Sequence, residues 1–173
     1  MKIRLKTITT CALFAALVLV ASKLEIRLFD SRFHLGNTFC LLAGLFLSPM
    51  AAGLSSGIGS ALYDILFYAN GLGFIYTLIN KFALAFVCAL VFKSISGKTV
   101  LRVIAACTIG QIVYIILYLG KTFITNFFIA GMPLDAALPI LVAKGGVSVT
   151  NAIVAITFAC IFYNILQHTG FKK

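Results

Sequence analysis

The sequence predicts an all-α integral membrane protein, a bundle of six transmembrane helices with both termini cytoplasmic. Three observations carry this. The chain is 62% hydrophobic and only 10% charged, its mean hydropathy is +1.11, and its apolar runs are separated by short turn-rich or basic segments. A soluble domain of this size needs a far more polar surface. At roughly 20 residues per span, 173 residues hold five or six spans, so a single transmembrane domain over 1–173 is expected, with no room for a soluble catalytic or nucleotide-binding domain.

The first span, 7–24, follows Lys2, Arg4 and Lys6 and mimics a signal peptide; with further spans after it, it is expected to be retained. Two short spans follow, 35–49 and 50–68, with Ser48-Pro49 as the turn, because proline cannot continue a preceding helix. Asn70-Gly71-Leu72-Gly73 turns the chain into the fourth span, 74–93, and Ser96-Gly97-Lys98 leads to the fifth, 100–122. Gly131-Met132-Pro133 breaks the chain before the sixth, 137–166, which Pro139 and Gly145-Gly146 are expected to interrupt. The third span is dense in small residues: Gly53 and Gly57 form GxxxG, and Ala52, Ser56 and Ser60 recur every fourth residue. In lipid, close backbone approach over such residues supplies helix packing. Ala12 and Ala16 give the first span a milder version, so these surfaces serve either the monomer's own packing or a membrane partner.

Fourteen Lys and Arg stand against four Asp and Glu, giving a net charge of +10. This excess does not point to nucleic acid, because the basic residues are divided among short flanks. Placing both termini inside puts eight of them (Lys2, Arg4, Lys6, Lys93, Lys98, Arg102, Lys172 and Lys173) on the cytoplasmic side, as the positive-inside rule asks. Lys23, Arg27 and Arg32 then lie outside, partly balanced by Glu25 and Asp30. The five cysteines fall in apolar runs without a CxxC and read as small apolar filler.

Three lysines remain, and they lie inside apolar segments: Lys81, Lys121 and Lys144. A charge in hydrocarbon costs a few kcal/mol or more, so such residues usually face a polar cavity or pair. In this threading all three fall in the outer half, with Lys81 about 10 Å below the outer surface. Asn80 precedes Lys81. Tyr114, Tyr118 and Lys121 share one face of the fifth helix, and Lys144, Ser148 and Asn151 share one face of the sixth, both at spacings of 4 and 3. Asp64 ends the third span, and His34 and Asn37 open the second. The inner halves, 41–47, 83–91 and 152–162, are nearly all apolar, with Thr157 the main exception. A solute could therefore enter from outside but find no polar route through. Individual residues also have plainer readings: Lys121 and Lys144 as snorkelling side chains, Asp64 in a salt bridge with an embedded lysine, Tyr114 and Tyr118 as belt residues, and His34 as a helix cap.

Catalysis is not indicated. Asp64 has no second carboxylate on its helix, and His34 and His168 are predicted on opposite membrane sides, which excludes a shared zinc site. Ser94–Thr99 looks like the end of a phosphate loop, but Phe92 stands where its first glycine belongs. Any use of ATP then falls to a partner.

His34-Leu35-Gly36-Asn37, the helix through Gly57–Asp64 and Leu78-Ile79-Asn80-Lys81 resemble substrate-binding S components of energy-coupling factor (ECF) transporters. The similarity is to the branch of riboflavin-type S components and their relatives for single-ring vitamin precursors, and it spans nearly the whole chain. It implies a multi-pass protein of the bacterial cell membrane that is not an enzyme. Such a subunit binds a small water-soluble vitamin in a pocket open to the outside. It associates with a membrane coupling subunit (T component) and two cytoplasmic ABC ATPases, which supply ATP and Mg²⁺ chemistry, and it reorients in the bilayer to release its ligand. The chain itself is expected to hold no cofactor. By the same resemblance, Lys81, Tyr114, Tyr118, Lys144 and Asn151 are ligand contacts, and Ala12 and Ala16 face the coupling subunit. The absence of Trp leaves Tyr and Phe as the aromatic faces, and the expected ligand is hydroxymethylpyrimidine or pyridoxine, with riboflavin and then a queuosine precursor as the alternatives. The competing readings are a stand-alone small secondary transporter, which needs a polar path through the inner half, and a non-binding membrane scaffold.

Overall fold

A computed structural model describes residues 5–28, 31–68, 71 and 73–168. Helix α1 (Leu5–Lys23) leads into a hairpin of β1 (Glu25–Leu28) and β2 (Ser31–His34), followed by α2 (Gly36–Phe46), α3 (Pro49–Phe67), α4 (Gly73–Ser94), α5 (Thr99–Phe123) and α6 (Leu134–His168). The strands pair antiparallel, with Glu25 opposite His34 and Arg27 opposite Arg32. The sequence reading left this hairpin as an outside loop: eight residues rich in charge carry little strand signal. Lys2, Arg4, Asp30, Asn70, Leu72, Lys172 and Lys173, which entered the turn and charge readings, lie outside the described residues.

Five helices are long and apolar enough to cross a membrane; α2 is not. Its 11 residues extend about 16 Å, half of the ~30 Å hydrocarbon core. Ten of the 11 are buried, so α2 is wrapped by other helices, as expected for a helix that is apolar on every side. The second expected span is thus a short central helix, and its closing turn at Leu47-Ser48 hands the chain to Pro49, the first residue of α3.

The last helix departs from expectation in the other direction. It starts at Leu134 and runs 35 residues through Pro139, Gly145 and Gly146 without a break. Membrane helices tolerate such residues when neighbours re-satisfy the freed backbone groups. Before it, α5 passes into a π-helical turn, Ile124–Ile129, closed by the Ala130 amide donating to Thr125 O at 2.9 Å. Gly131, at φ +64°, makes the turn toward α6, a backbone conformation that glycine adopts without penalty.

Small residues set the helix spacing. A Cβ on Gly57 would lie 2.9 Å from Leu78 O of α4, one on Gly44 would lie 2.9 Å from the Cys88 side chain, and one on Gly59 would run into the backbone of Ala15 in α1. The GxxxG of α3 is therefore spent within the protein, since Gly53 likewise packs against Phe82. Ala12 and Ala16 face outward from α1 and are exposed.

Elements alternate in direction, and this sorts the chain by end. Leu41, Leu45 and Phe46 of α2, Leu84 and Cys88 of α4, Val103 and Cys107 of α5, and Ala155, Ala159 and Tyr163 of α6 form one apolar cluster. Phe46 and Phe92 sit against the Tyr163 ring at centroid distances of 5.3 and 5.7 Å. Thr157 is exposed, its hydroxyl donating to Ile153 O at 2.9 Å, so it puts no polar group into this cluster. Leu5 and His168 both lie at this end. The opposite end is polar.

Candidate functional site

At the polar end five helices (α1 and α3 to α6) and β2 surround a cavity of about 320 Å³. Helix α4 contributes Tyr76, Thr77, Asn80 and Lys81, one face at spacings of 1, 3 and 1. Asn80 and Lys81 are only 4% and 5% exposed. From α5 come Tyr114, Tyr118, Lys121 and Thr122, and from α6 Lys144, Val147, Ser148 and Asn151. Ser60, Tyr63 and Asp64 of α3, Ser22 of α1, and Arg32 and His34 of β2 complete the wall, with Tyr68 just after α3. Among the described residues Val147 is the one aliphatic side chain in it.

Lys81 sits where the cavity meets the core. Its ammonium donates to Asn37 Oδ1 and stands 4.3 Å from the centroid of the Tyr114 ring. Asn37 in turn donates from Nδ2 to Gln111 Oε1 at 3.4 Å. Lys81, Asn37 and Gln111 thus form a buried polar chain beneath the cavity. Tyr114 and Tyr118 lie parallel, with ring centroids 6.1 Å apart and planes 5° from each other. Lys121 Nζ is 5.0 Å from the Tyr76 ring centroid, and the Tyr76 hydroxyl donates to Leu117 O, fastening α4 to α5. The amide oxygens of Asn80 and Asn151 are buried without a partner, although both residues line the cavity.

Asp64 does not pair with an embedded lysine. Arg32 takes that place at 2.8 Å, and the Thr77 hydroxyl donates to the other carboxylate oxygen. The hairpin reverses the chain so that Arg32, one strand residue from His34, turns inward over the Tyr68 ring at 4.4 Å. Burial opposes the Arg32 charge, but the hydrogen bond and charge of Asp64, with smaller contributions from Tyr68 and Glu25, raise its pKa above the ordinary value. Glu25 accepts from the Tyr68 hydroxyl, tying β1 to the end of α3. For His34, burial above all, then the charges of Lys81 and Arg32, holds the pKa well below the ordinary imidazole value. Its Nδ1 accepts from the Gly36 amide at 3.0 Å, which caps the start of α2 and assigns the proton to Nε2. His34 therefore both caps a helix and lines the cavity.

Of the eleven residues expected at the site, ten line one cavity; Asn37 is the eleventh, one bond away through Lys81. Arg32, Tyr63, Tyr68, Tyr76, Thr77 and Gln111 were not expected. Helical spacing carried a usable signal for three of them: Tyr76 and Thr77 lie four residues before Asn80 and Lys81, and Gln111 three before Tyr114. Arg32 had no such signal, because only the hairpin turns it inward. Among the described residues no group of three or more His, Cys, Asp or Glu could hold a metal ion.

The family model described as "ECF-type riboflavin transporter, S component" matches residues 2–168. The chain belongs to this family. Its members are substrate-binding transport subunits of the cell membrane rather than enzymes, which agrees with five membrane-length apolar helices here. Among solved structures, one described as "Structure and mechanism of the S component of a bacterial ECF transporter" superposes with a TM-score of 0.76, covering 97% of this chain and 98% of that one at 15% identity. At that identity the likeness speaks for the fold. No curated protein sequence matches significantly.

Proposed function

We propose that this S component captures a small water-soluble vitamin or vitamin precursor with one heteroaromatic ring, of the hydroxymethylpyrimidine or pyridoxine type, and passes it inward as part of an ECF importer. The observation that supports this best is the division of the bundle: a polar cavity at one end, closed at the other by the cluster around Leu41, Leu84 and Cys107. A stand-alone transporter or channel needs polar groups through both halves. Here the protein is suited to bind, and reorientation driven by partners does the rest.

The cavity volume lies at the small end of the ~300–1,000 Å³ usual for ligand pockets, which favours one ring over three. Tyr114 and Tyr118 offer parallel aromatic faces, and Asn80 and Asn151 offer acceptors for ring amino or hydroxyl groups. Lys81, Lys121, Lys144, Ser148, Asp64 and His34 complete the contacts we assign to the ligand. Asn37 acts through Lys81. The family's description favours one second reading, riboflavin.

The partners are a membrane coupling subunit and two cytoplasmic ABC ATPases, which bring ATP and Mg²⁺; this chain carries no cofactor of its own. The exposed Ala12 and Ala16 give the coupling subunit a face of small residues to pack on. Lys93, Lys98 and Arg102 lie at the end away from the cavity, so the positive-inside rule directs the cavity outward and both termini to the cytoplasm.

Mass spectrometry of small molecules extracted from the purified protein tests this reading. A stoichiometric pyrimidine or pyridoxine compound supports it, and a flavin keeps the function but replaces the substrate. Uptake by this chain alone in liposomes overturns it. Ala16→Leu should preserve ligand binding while reducing copurification with the coupling subunit; failure of the variant to accumulate would assign Ala16 to internal packing.

A further inference from the structure

Three of the membrane-length helices match a bilayer and two exceed it. Helices α1, α3 and α4 have 19, 19 and 22 residues, about 28–33 Å, close to the ~30 Å hydrocarbon core. Helix α5 with its π-helical turn has 31 residues and α6 has 35, about 46 and 52 Å. The surplus lies at the cavity end. The Tyr76 hydroxyl meets Leu117 O close to where α4 begins at Gly73, whereas α5 and its π-helical turn run on from that level to Ile129. A Cβ on Gly145 would touch Leu119, so α6 starts well above that level, at Leu134. The α5–α6 hairpin therefore rises about two turns higher than α4.

The raised part is apolar on its outward side. Residues 122–143 contain one charged side chain, Asp135. Ile116, Ile124 and Phe128 recur at multiples of four on one outward face, and Val149, Val142 and Leu138 do so at helical spacing on α6; all six are exposed. Both stripes begin in the spanning part, pass the level of Lys121 and Lys144, which line the cavity, and continue to the tip. There Phe128 and Ile129 are 69% and 75% exposed. The connection between α1 and α2, at the same end, has the opposite composition, with Lys23, Glu25, Arg27, Asp30 and Arg32 close together in sequence.

The turn also meets the demand that lipid places on backbone groups. The Ala130 amide donates to Thr125 O at 2.9 Å and the Met132 amide to Asn126 O at 3.0 Å. Pro133 has no amide hydrogen, and its carbonyl accepts from Ala136 and Ala137. Phe123, Phe127 and Phe128 pack ring to ring around it, with centroids 5.0 to 6.1 Å apart.

We infer that the tip of the α5–α6 hairpin is a membrane anchor, seated in the headgroup–acyl boundary of the leaflet on the cavity side, with lipid as its partner. Continuity with the lipid-facing stripes of α5 and α6 carries this, since a tip in water would extend those stripes into an exposed apolar patch. Aromatic rings with a few polar neighbours suit that depth, and Asp135, in the first turn of α6, stays within reach of water. Surplus apolar length is accommodated by tilt, so the bundle leans, with the α5–α6 wall of the cavity held in lipid and the charged α1–α2 connection in water. The inference is independent of which ligand the cavity takes.

The chain has no Trp, so one substitution supplies an unambiguous depth reporter. Phe128→Trp is made in the full chain, in nanodiscs holding one copy each. It is compared with Ile116→Trp, further down the same stripe, and with Lys98→Trp, in the connection at the opposite end. The quenchers are lipids brominated at upper or at lower acyl positions, and acrylamide in the water. Phe128→Trp should emit to the blue of Lys98→Trp and be quenched more by upper-chain than by lower-chain bromines, with the reverse order for Ile116→Trp. Quenching of Phe128→Trp by acrylamide but by neither lipid places the tip in water and overturns the inference. Quenching by none of the three places it against protein, over the cavity or elsewhere, and overturns it as well. Should Phe128→Trp fail to accumulate, Ile129→Trp carries the same readings at a more exposed position.

Discussion

The two ends of the bundle are made from the same helices, yet they are built on opposite rules. Toward its first residues α4 buries Asn80 and Lys81, and one to two turns later it buries Leu84, Ala85 and Cys88. Helix α6 does the same with Ser148 and Asn151 before Ala155 and Ala159. At the apolar end, buried apolar side chains form one cluster and glycine brings backbones together. At the polar end, buried groups are left without mutual partners, which is costly for a protein and useful for a receptor. The comparison teaches that stability and recognition have been separated along the helix axis, so changes at one end should leave the other's property largely intact.

The largest expected effect is at the cavity floor. Lys81→Met removes the ammonium while keeping an unbranched side chain, and ligand affinity should fall by about 10- to 100-fold, the loss of roughly 1.5–3 kcal/mol for a hydrogen bond to a charged group. Isothermal titration with the ligand recovered from the protein measures it. Unchanged affinity would remove Lys81 from the site and make its contact with Asn37 purely architectural.

The next effect belongs to the other end. Gly44→Val places carbon where the Cys88 side chain and Ala85 O already stand, at 2.9 and 3.0 Å from a Cβ. Overpacking of this kind costs about 1–3 kcal/mol. The thermal midpoint should drop by several degrees, at about 2–4 °C per kcal/mol for a chain of this size, with the dissociation constant of the surviving folded protein close to that of the parent. An equal loss in both would show that the two ends are coupled.

A smaller change sharpens what the cavity reads. Tyr114→Leu keeps the apolar bulk but removes the ring beside Tyr118 and over Lys81. Affinity should fall by about 2- to 12-fold, the worth of an aromatic pair at 0.5–1.5 kcal/mol. A loss as large as that of Lys81→Met would mean that Tyr114 holds the lysine in place in addition to stacking on ligand.

This division was visible in the order of residues before any coordinates, and the reason is periodic. Polar residues on α5 and α6 recur at 4 and 3, and apolar ones replace them at the same phase further along, so a face and its limit could both be read. The same reasoning failed where the chain is not helical or not amphipathic. Arg32 was assigned to a solvent-exposed flank because its inward turn depends on strand pairing with Arg27, a non-local contact. The central position of α2 was missed because its uniform apolarity looks the same whether the neighbours are lipid or protein. Pro139 and the Gly145-Gly146 pair were read as breaks, although in a long membrane helix they are tolerated. Gln111 was passed over as a lone amide in an apolar run; its position one turn before Tyr114 on the same face was the available clue.

The smallest expected effect tests whether the hairpin belongs to the cavity end electrostatically. His34 is buried, with Lys81 and Arg32 near it, and its pKa is held well below the ordinary value of 6.5. A base with a depressed folded-state pKa is neutral in the fold but takes up a proton when unfolded, so its contribution to stability is present above pH 6.5 and is lost as pH falls toward the folded-state pKa. Between pH 7 and pH 6 the loss comes to about 0.7 kcal/mol if the folded histidine stays neutral across that interval, or about 2 °C in thermal midpoint. His34→Gln should flatten this slope while keeping an acceptor near the Gly36 amide. A slope unchanged in the variant would assign the pH dependence to another group and leave His34 as a helix cap alone; a flattened slope would show that the positive charge of the cavity wall reaches the hairpin and keeps a third cation from forming beside Lys81 and Arg32.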